Sequence, residues 1–257
     1  MDMLLIAATA LLASCLTFFS GFGLGTLLMP VIALFFPVDI AIGITALVHL
    51  ANNLFKLGIV GLRANWSVVL RFGVPALCAA FGGAFVLDAL SHMQPLLEYA
   101  IAGRQFQLMP VKLVVGLLII LFVLMELSPR CKNLAFNRKW LPVGGVVSGF
   151  FGGLSGNQGA LRSMFLLKAG LDSSQYIATG VVIAVLVDLS RLSVYGWSIT
   201  QPGVFDDWRL LLVATLSAFA GALAGRSLLQ KVTIQHIRQL VSVLLAIVGC
   251  GLILGVL

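Results

Sequence analysis

The chain has 257 residues, a mean hydropathy of +1.10, 60% hydrophobic residues and only 10% charged ones, where a soluble domain carries about 25%. No polar segment is long enough to form a water-soluble appendage. What remains is one polytopic membrane domain, with length for roughly eight spans of about 20 residues each. The net charge of +7, from sixteen Lys+Arg against nine Asp+Glu, is scattered over short loops and helix ends. That distribution fits positive-inside topology and anionic lipid rather than nucleic acid, and it also suits an anionic substrate.

Met1-Asp2-Met3 leads straight into apolar sequence without a basic segment, which reads as a retained first membrane segment and not a cleaved signal peptide. Apolar stretches follow at 3–36, 38–61, 67–88, 110–127, 140–167, 175–196, 208–230 and 237–257. The first is too long for one crossing: at 1.5 Å per residue it reaches roughly 50 Å against a hydrocarbon core of about 30 Å. Gly21, Gly23 and Gly25 interrupt it and Pro30 follows; Gly152, Gly153, Gly156 and Gly159 interrupt the fifth. Both read as Gly-broken or re-entrant segments, because backbone exposed at such a break survives only inside protein or beside a wet cavity. Cys15, Cys78, Cys131 and Cys250 show no disulfide or metal spacing, and Trp66, Trp140, Trp197 and Trp208 fall near span ends as interfacial anchors.

The two halves align. Gly25 falls opposite Gly159; Asn53, Lys56 and Gly61 opposite Asp188, Arg191 and Gly196; Gly82 opposite Gly221; and Lys112 opposite Arg238. The predicted fold is therefore an all-α polytopic membrane protein with two four-helix internal repeats. The first repeat spans 1–127, a basic linker spans 128–139 with Arg130, Lys132, Arg138 and Lys139, and the second repeat spans 140–257. The basic linker belongs in the cytoplasm. Four full crossings per half make the repeats parallel; one re-entrant segment per half makes them inverted.

Paired interrupted segments point to a transporter binding site. In the first, Gly23, Gly25 and Thr26 let backbone amides approach an anion, and a helix restarting there presents free N–H groups; tight packing by small residues is the plainer reading. The second, Gly156-Asn157-Gln158-Gly159 with Arg162, adds side-chain donors and a cation to the same geometry. On the following helices, His49, Asn52, Asn53 and Lys56 share one face, and Asp188 and Arg191 stand three apart. Lys56 and Arg191 either line a site or snorkel to the interface. His49 and Asp188 are candidates for proton coupling. Asp39 and Asp172 read as caps or dipole partners of the second helices. Asn53 and Lys56 answering to Asp188 and Arg191, with Arg162 unmatched, imply one asymmetric site.

These glycine runs, Gly21 to Pro30 and Gly152 to Arg162, each followed by a second helix, resemble the TauE/SafE sulfite exporter family, also called the 4-toluene sulfonate uptake permease family. Leu24 interrupts the glycines that are often consecutive in that family, and Ala160 stands where a Pro often does. The resemblance implies a bacterial inner-membrane transporter of sulfite, sulfonates or related organosulfur anions, with no cofactor. The leading expectation is secondary transport of such an anion by alternating access, not an enzyme. Its partners are the anion and the bilayer, and a homo-oligomer is compatible with it. Two other classes fit parts of the sequence. Gly153-Leu154-Ser155-Gly156 matches the G-x-S-G string of an intramembrane serine protease, which needs a base near Ser155; a non-transporting subunit or receptor leaves matched buried charges without a purpose.

Overall fold

A computed structural model describes residues 2–20, 24–60, 63–101, 104–128, 134–199, 208–228 and 234–256. Among these residues ten α-helices form: α1 (Asp2–Ser20), α2 (Leu24–Ile32), α3 (Val38–Val60), α4 (Trp66–Ser91), α5 (Pro110–Leu127), α6 (Leu141–Ser155), α7 (Gly159–Leu166), α8 (Ser173–Ile199), α9 (Trp208–Leu228) and α10 (Ile234–Ile253). The all-α expectation needs one correction. The connection before α5, read from sequence as a loop, contains an antiparallel hairpin of β1 (Leu97–Ile101) and β2 (Arg104–Leu108). Its register places Tyr99 against Phe106 on one face and Glu98 against Gln107 on the other, and Gln107 donates to Glu98 at 3.0 Å. Five-residue strands carry too little period-2 pattern to stand out beside eight apolar stretches.

Local chemistry sets the helix boundaries. Asn65 caps α4 by accepting from Val68 N (3.3 Å), while its own N–H donates to Thr179 of α8 at 2.9 Å. A π-helical turn at Val69–Gly73 precedes Pro75, whose ring has no N–H to give the preceding turn. Asp172 caps α8 by accepting from Gln175 N at 2.8 Å, as the sequence suggested, whereas Asp39 lies inside the first turn of α3 instead of preceding it.

Large apolar side chains face outward while several charged and amide side chains lie inside. Leu70, Phe85, Leu124, Leu216 and Ile247 are each more than half exposed, while His49, Asn52, Asn53, Lys56, Asp188 and Arg191 are buried. An exterior this apolar is stable only in contact with lipid. Among the described residues four helical stretches are long and apolar enough to cross a membrane: Val38–Ile59, Trp66–Ser91, Ser173–Tyr195 and Trp208–Gly225. Met3–Cys15, Pro110–Met125 and Ser242–Ile253 are apolar but shorter. Trp66, Trp140 and Trp208 are exposed beside helix starts, as anchors should be; the Trp197 side chain lies outside the described residues.

α6 does not cross. Its 15 residues rise about 22 Å, and the chain then turns back. Ser148 of α6 donates to Gln158 O (3.1 Å), and Phe136 N, ahead of α6, donates to Met164 O near the end of α7 at 3.0 Å. α6 and α7 therefore run antiparallel, and the pair enters and leaves at the same end. Further contacts gather other termini there: Arg63 donates to Ser174 and Arg138 to Ser67, both at 3.2 Å. The ends of α3 and α7 and the starts of α4, α6 and α8 share this face.

The most extensive packing joins α4 to α6 and α1 to α9, followed by α5 with α10 and α3 with α8. Glycines set the first two contacts. A Cβ on Gly149 would stand 2.1 Å from Ala76 O, and one on Gly153 2.1 Å from Ala80 O; in the other pair, Gly221 lies as close to Leu11 O. The position in α4 that plays the part of Gly221 is Gly83, whose Cβ would meet Phe150 O at 2.0 Å; Gly82, aligned from sequence, faces open space. Gly83→Ala is expected to lower stability by about 1–3 kcal/mol through overpacking. Gly82→Ala should be neutral or stabilising, by helix propensity. Thermal unfolding of both variants in the same detergent checks the pair; equal shifts would refute this register.

Candidate functional site

The site forms where the second break meets the polar faces of α3 and α8. α6 ends because Gly156 adopts a left-handed conformation (φ 76) that closes the last turn through Gly156 N to Gly152 O at 3.0 Å. Asn157 and Gln158 form the tip, and α7 restarts at Gly159 with no side-chain cap. The first N–H groups of α7 are thus left without helical partners. Gln158 is 1% exposed, yet neither end of its amide has a hydrogen-bond partner in the protein, and neither does Asn157 Oδ1.

Arg191 of α8 reaches this tip. A Cβ on Gly156 would stand 2.8 Å from Arg191 Nη1, so the missing side chain is what admits the guanidinium. Arg191 and Asp188 are fully buried, with Arg191 Nη2 2.8 Å from Asp188 Oδ1. The contact is an ion pair without hydrogen-bond alignment, and Nε, Nη1 and Nη2 all lack a hydrogen-bond acceptor in the protein. On its other oxygen Asp188 crosses to α3: His49 Nδ1 donates to Oδ2 at 2.7 Å and Asn53 Nδ2 donates to it at 3.2 Å. The carboxylate accepts only, which places the proton of neutral His49 on Nδ1.

Burial rules out snorkelling for both cations. Lys56 is 5% exposed and Arg191 is 0% exposed, so both ammonium and guanidinium lie inside the protein. Lys56 belongs to a neighbouring cluster. Asn52, in the orientation that satisfies both ends of its amide, accepts from Lys56 Nζ at 3.2 Å and donates to Ala218 O at 3.3 Å and Ser14 Oγ at 3.1 Å. Arg162, in the first turn of α7, runs beside Gly180 of α8, with Nε 3.7 Å from where a Cβ would stand; its buried Nη1 has no partner in the protein. Lys56 and Arg162 are close enough for their charges to interact.

The first break contributes from the other side. Gly23 lies outside the described residues. Gly25 and Thr26 are buried in the first turn of α2, and a Cβ on Gly25 would stand 3.4 Å from both Gly156 O and Thr45 Cγ2. Gly25, Gly156, Asn157, Gln158, Gly159 and Arg191 are therefore brought together, with His49, Asn53 and Asp188 directly behind Arg191. Lys56 and Arg162 flank them. Thr45, whose buried Oγ1 has no partner, and Tyr195, whose hydroxyl donates to Gly153 O at the end of α6, were missed from sequence. Tyr195 follows Arg191 by four residues, a spacing that could have flagged it.

Ser155 is engaged in the end of its own helix, donating to Phe151 O at 3.0 Å and accepting from Asn157 N at 3.4 Å. His49 Nδ1 is committed to Asp188. The His236 side chain is outside the described residues. Among the described residues nothing activates Ser155 as a nucleophile. What the tip offers is a set of inward-facing donors and cations against one carboxylate, an arrangement suited to holding a small anion.

Removing Arg191 would strand Asp188 as a buried charge. Arg191→Met should cost about 3–5 kcal/mol. The double variant Asp188→Asn with Arg191→Met should recover most of that loss. Denaturant unfolding in detergent compares them; a double variant less stable than the single one would refute the pairing.

The family model described as Sulfite exporter TauE/SafE matches residues 6–252, nearly the whole chain. Comparison with curated proteins and comparison with solved structures each gave no match.

Proposed function

Because the chain belongs to the sulfite exporter TauE/SafE family, a family of membrane transporters, we propose that it is a secondary transporter of sulfite, a sulfonate or a related small organosulfur anion, resident in a bacterial inner membrane. The observation that carries the substrate class is the tip of α6 and α7. There the buried polar atoms of Gln158, Asn157, Arg162 and Arg191 lack hydrogen-bond partners in the protein, and a polar group buried without a partner costs about 1–3 kcal/mol. An oxyanion seated against the free N–H groups of Gly159 and its neighbours, with Arg191 and Arg162 on its oxygens, supplies those partners. Asn53 and Lys56 complete the polar surroundings, and Gly25 and Thr26 bring the first break to the same place. His49 and Asp188 are the groups through which a proton is coupled.

Movement follows from two repeats of opposite orientation, with repeat boundaries at 1–127 and 140–257. Three features support this reading. The α6–α7 pair turns back within the membrane, which leaves α8, α9 and α10 as the crossings of that half. The packing of α4 on α6 mirrors that of α1 on α9, while α3 meets α8 and α5 meets α10, as an exchange of halves requires. The shared face at the starts of α4, α6 and α8 carries Arg63, Arg138, Lys139 and Lys168, which supports a cytoplasmic position for it. Rocking of one repeat against the other then alternates access to the joined tips.

Uptake of labelled sulfite into proteoliposomes tests the reading. Arg191→Ala and Arg162→Ala should each lower the initial rate about thirtyfold or more, the loss expected when a buried charge-assisted contact of 2–5 kcal/mol is removed. Lys56→Ala should lower it less, because its ammonium donates to Asn52 in the neighbouring cluster. Wild-type rates in both arginine variants would eliminate the tip as the anion site.

A further inference from the structure

Asp188 has two oxygens and two different partners. Oδ1 faces Arg191, which has no aligned hydrogen-bond acceptor; Oδ2 takes the short bond from His49 across the α3–α8 contact, assisted by Asn53. The charged groups facing His49 are Asp188 and Arg191 from α8 and Arg162 from α7. One carboxylate therefore divides its charge between the guanidinium that faces the anion tip and an imidazole in the other half of the chain. We propose that anion binding and proton uptake are a single linked event at this triad: an anion taken up by Arg191 displaces Asp188 as its counter-charge, and the released carboxylate holds His49 as imidazolium.

The inference rests on the tip being the anion site. Its direction follows from charge alone. Before the anion arrives, Asp188 balances Arg191, and a second cation on His49 would stand between two arginines with one carboxylate to share. Afterwards the anion balances Arg191, and Asp188 is available to a protonated His49. The proton enters on Nε2, because Nδ1 already carries the hydrogen given to Asp188. Linkage is reciprocal, so acidification tightens anion binding to the extent that the anion promotes protonation. The outcome is co-transport of anion and proton in the same direction. Every residue required is buried and joined by contacts of 2.7–3.2 Å.

Calorimetric titration with sulfite in triethanolamine and in Tris, amine buffers that differ in heat of ionisation and do not compete as oxyanions, measures protons taken up on binding. Sulfite's own ionisation contributes equally to wild type and His49→Gln, so their difference reads the protein's proton, expected to be about one near pH 7.5. The chain has three histidines, His49, His92 and His236, so nitrogen NMR of imidazole-labelled protein follows His49 in the wild type even if His49→Gln fails to fold. His92→Gln and His236→Gln assign the other two imidazoles. The remaining one, that of His49, should change from neutral to imidazolium when sulfite is added. Binding heat with no difference in proton uptake and three unchanged imidazoles overturns the linkage but leaves the anion site standing. Proton uptake without an imidazole change overturns the assignment to His49. Absence of any binding heat overturns the anion site and, with it, this inference.

Discussion

A carboxylate buried at 0% exposure inside a membrane domain must be compensated, and Asp188 is compensated twice. Arg191 stands one turn ahead on its own helix, and His49 and Asn53 reach it from α3. Leaving such a charge unpaired costs several kcal/mol. The requirement fixes the relative rotation of α3 and α8, since only one face of each carries the matching groups. It also draws Arg191 inward to a place where a side chain on residue 156 would collide with it. The left-handed glycine, the turned-back α6–α7 pair and the apolar exterior are all consistent with a core organised around this charge.

Much of the arrangement is legible in the sequence because charged residues are expensive within apolar stretches. Asp188, Arg191, His49, Asn53 and Lys56 stand out for that reason, and so does the break at Gly156. The sequence could not reveal that Asp188 serves a histidine 139 positions away as well as its neighbour three residues on. Helical spacing reports which residues share a face, and it is silent about which faces meet. The choice between snorkelling and burial for Lys56 and Arg191 had the same cause: distance from a helix end is local, whereas burial is decided by what packs alongside.

Other features escaped for smaller reasons. Thr45 and Tyr195 are common residues in membrane helices and become notable only through an unpartnered hydroxyl and a bond to Gly153 O. The equivalence of Gly82 with Gly221 misses by one position, because glycines are frequent and adjacent here, and only a near neighbour's backbone distinguishes Gly83 from Gly82. The direction of α7 was also hidden. A broken helix that continues and one that turns back have the same composition; the bonds from Ser148 to Gln158 and from Phe136 to Met164 distinguish them.

The hairpin of β1 and β2 constrains how two of these helices can move. Tyr99 of β1 donates its hydroxyl to Leu254 O just beyond α10, and a Cβ on the left-handed Gly255 (φ 67) would stand 2.7 Å from Gln107 O of β2. α5 leaves the hairpin immediately afterwards and lies along α10, with Gly116 against Gly249 and Ile253. Sliding α10 along α5 would break the tyrosine bond and force backbone into backbone at both places. Tilting the two helices about the hairpin end disturbs neither, so that end behaves as a pivot and the opposite end is where the pair is free to part.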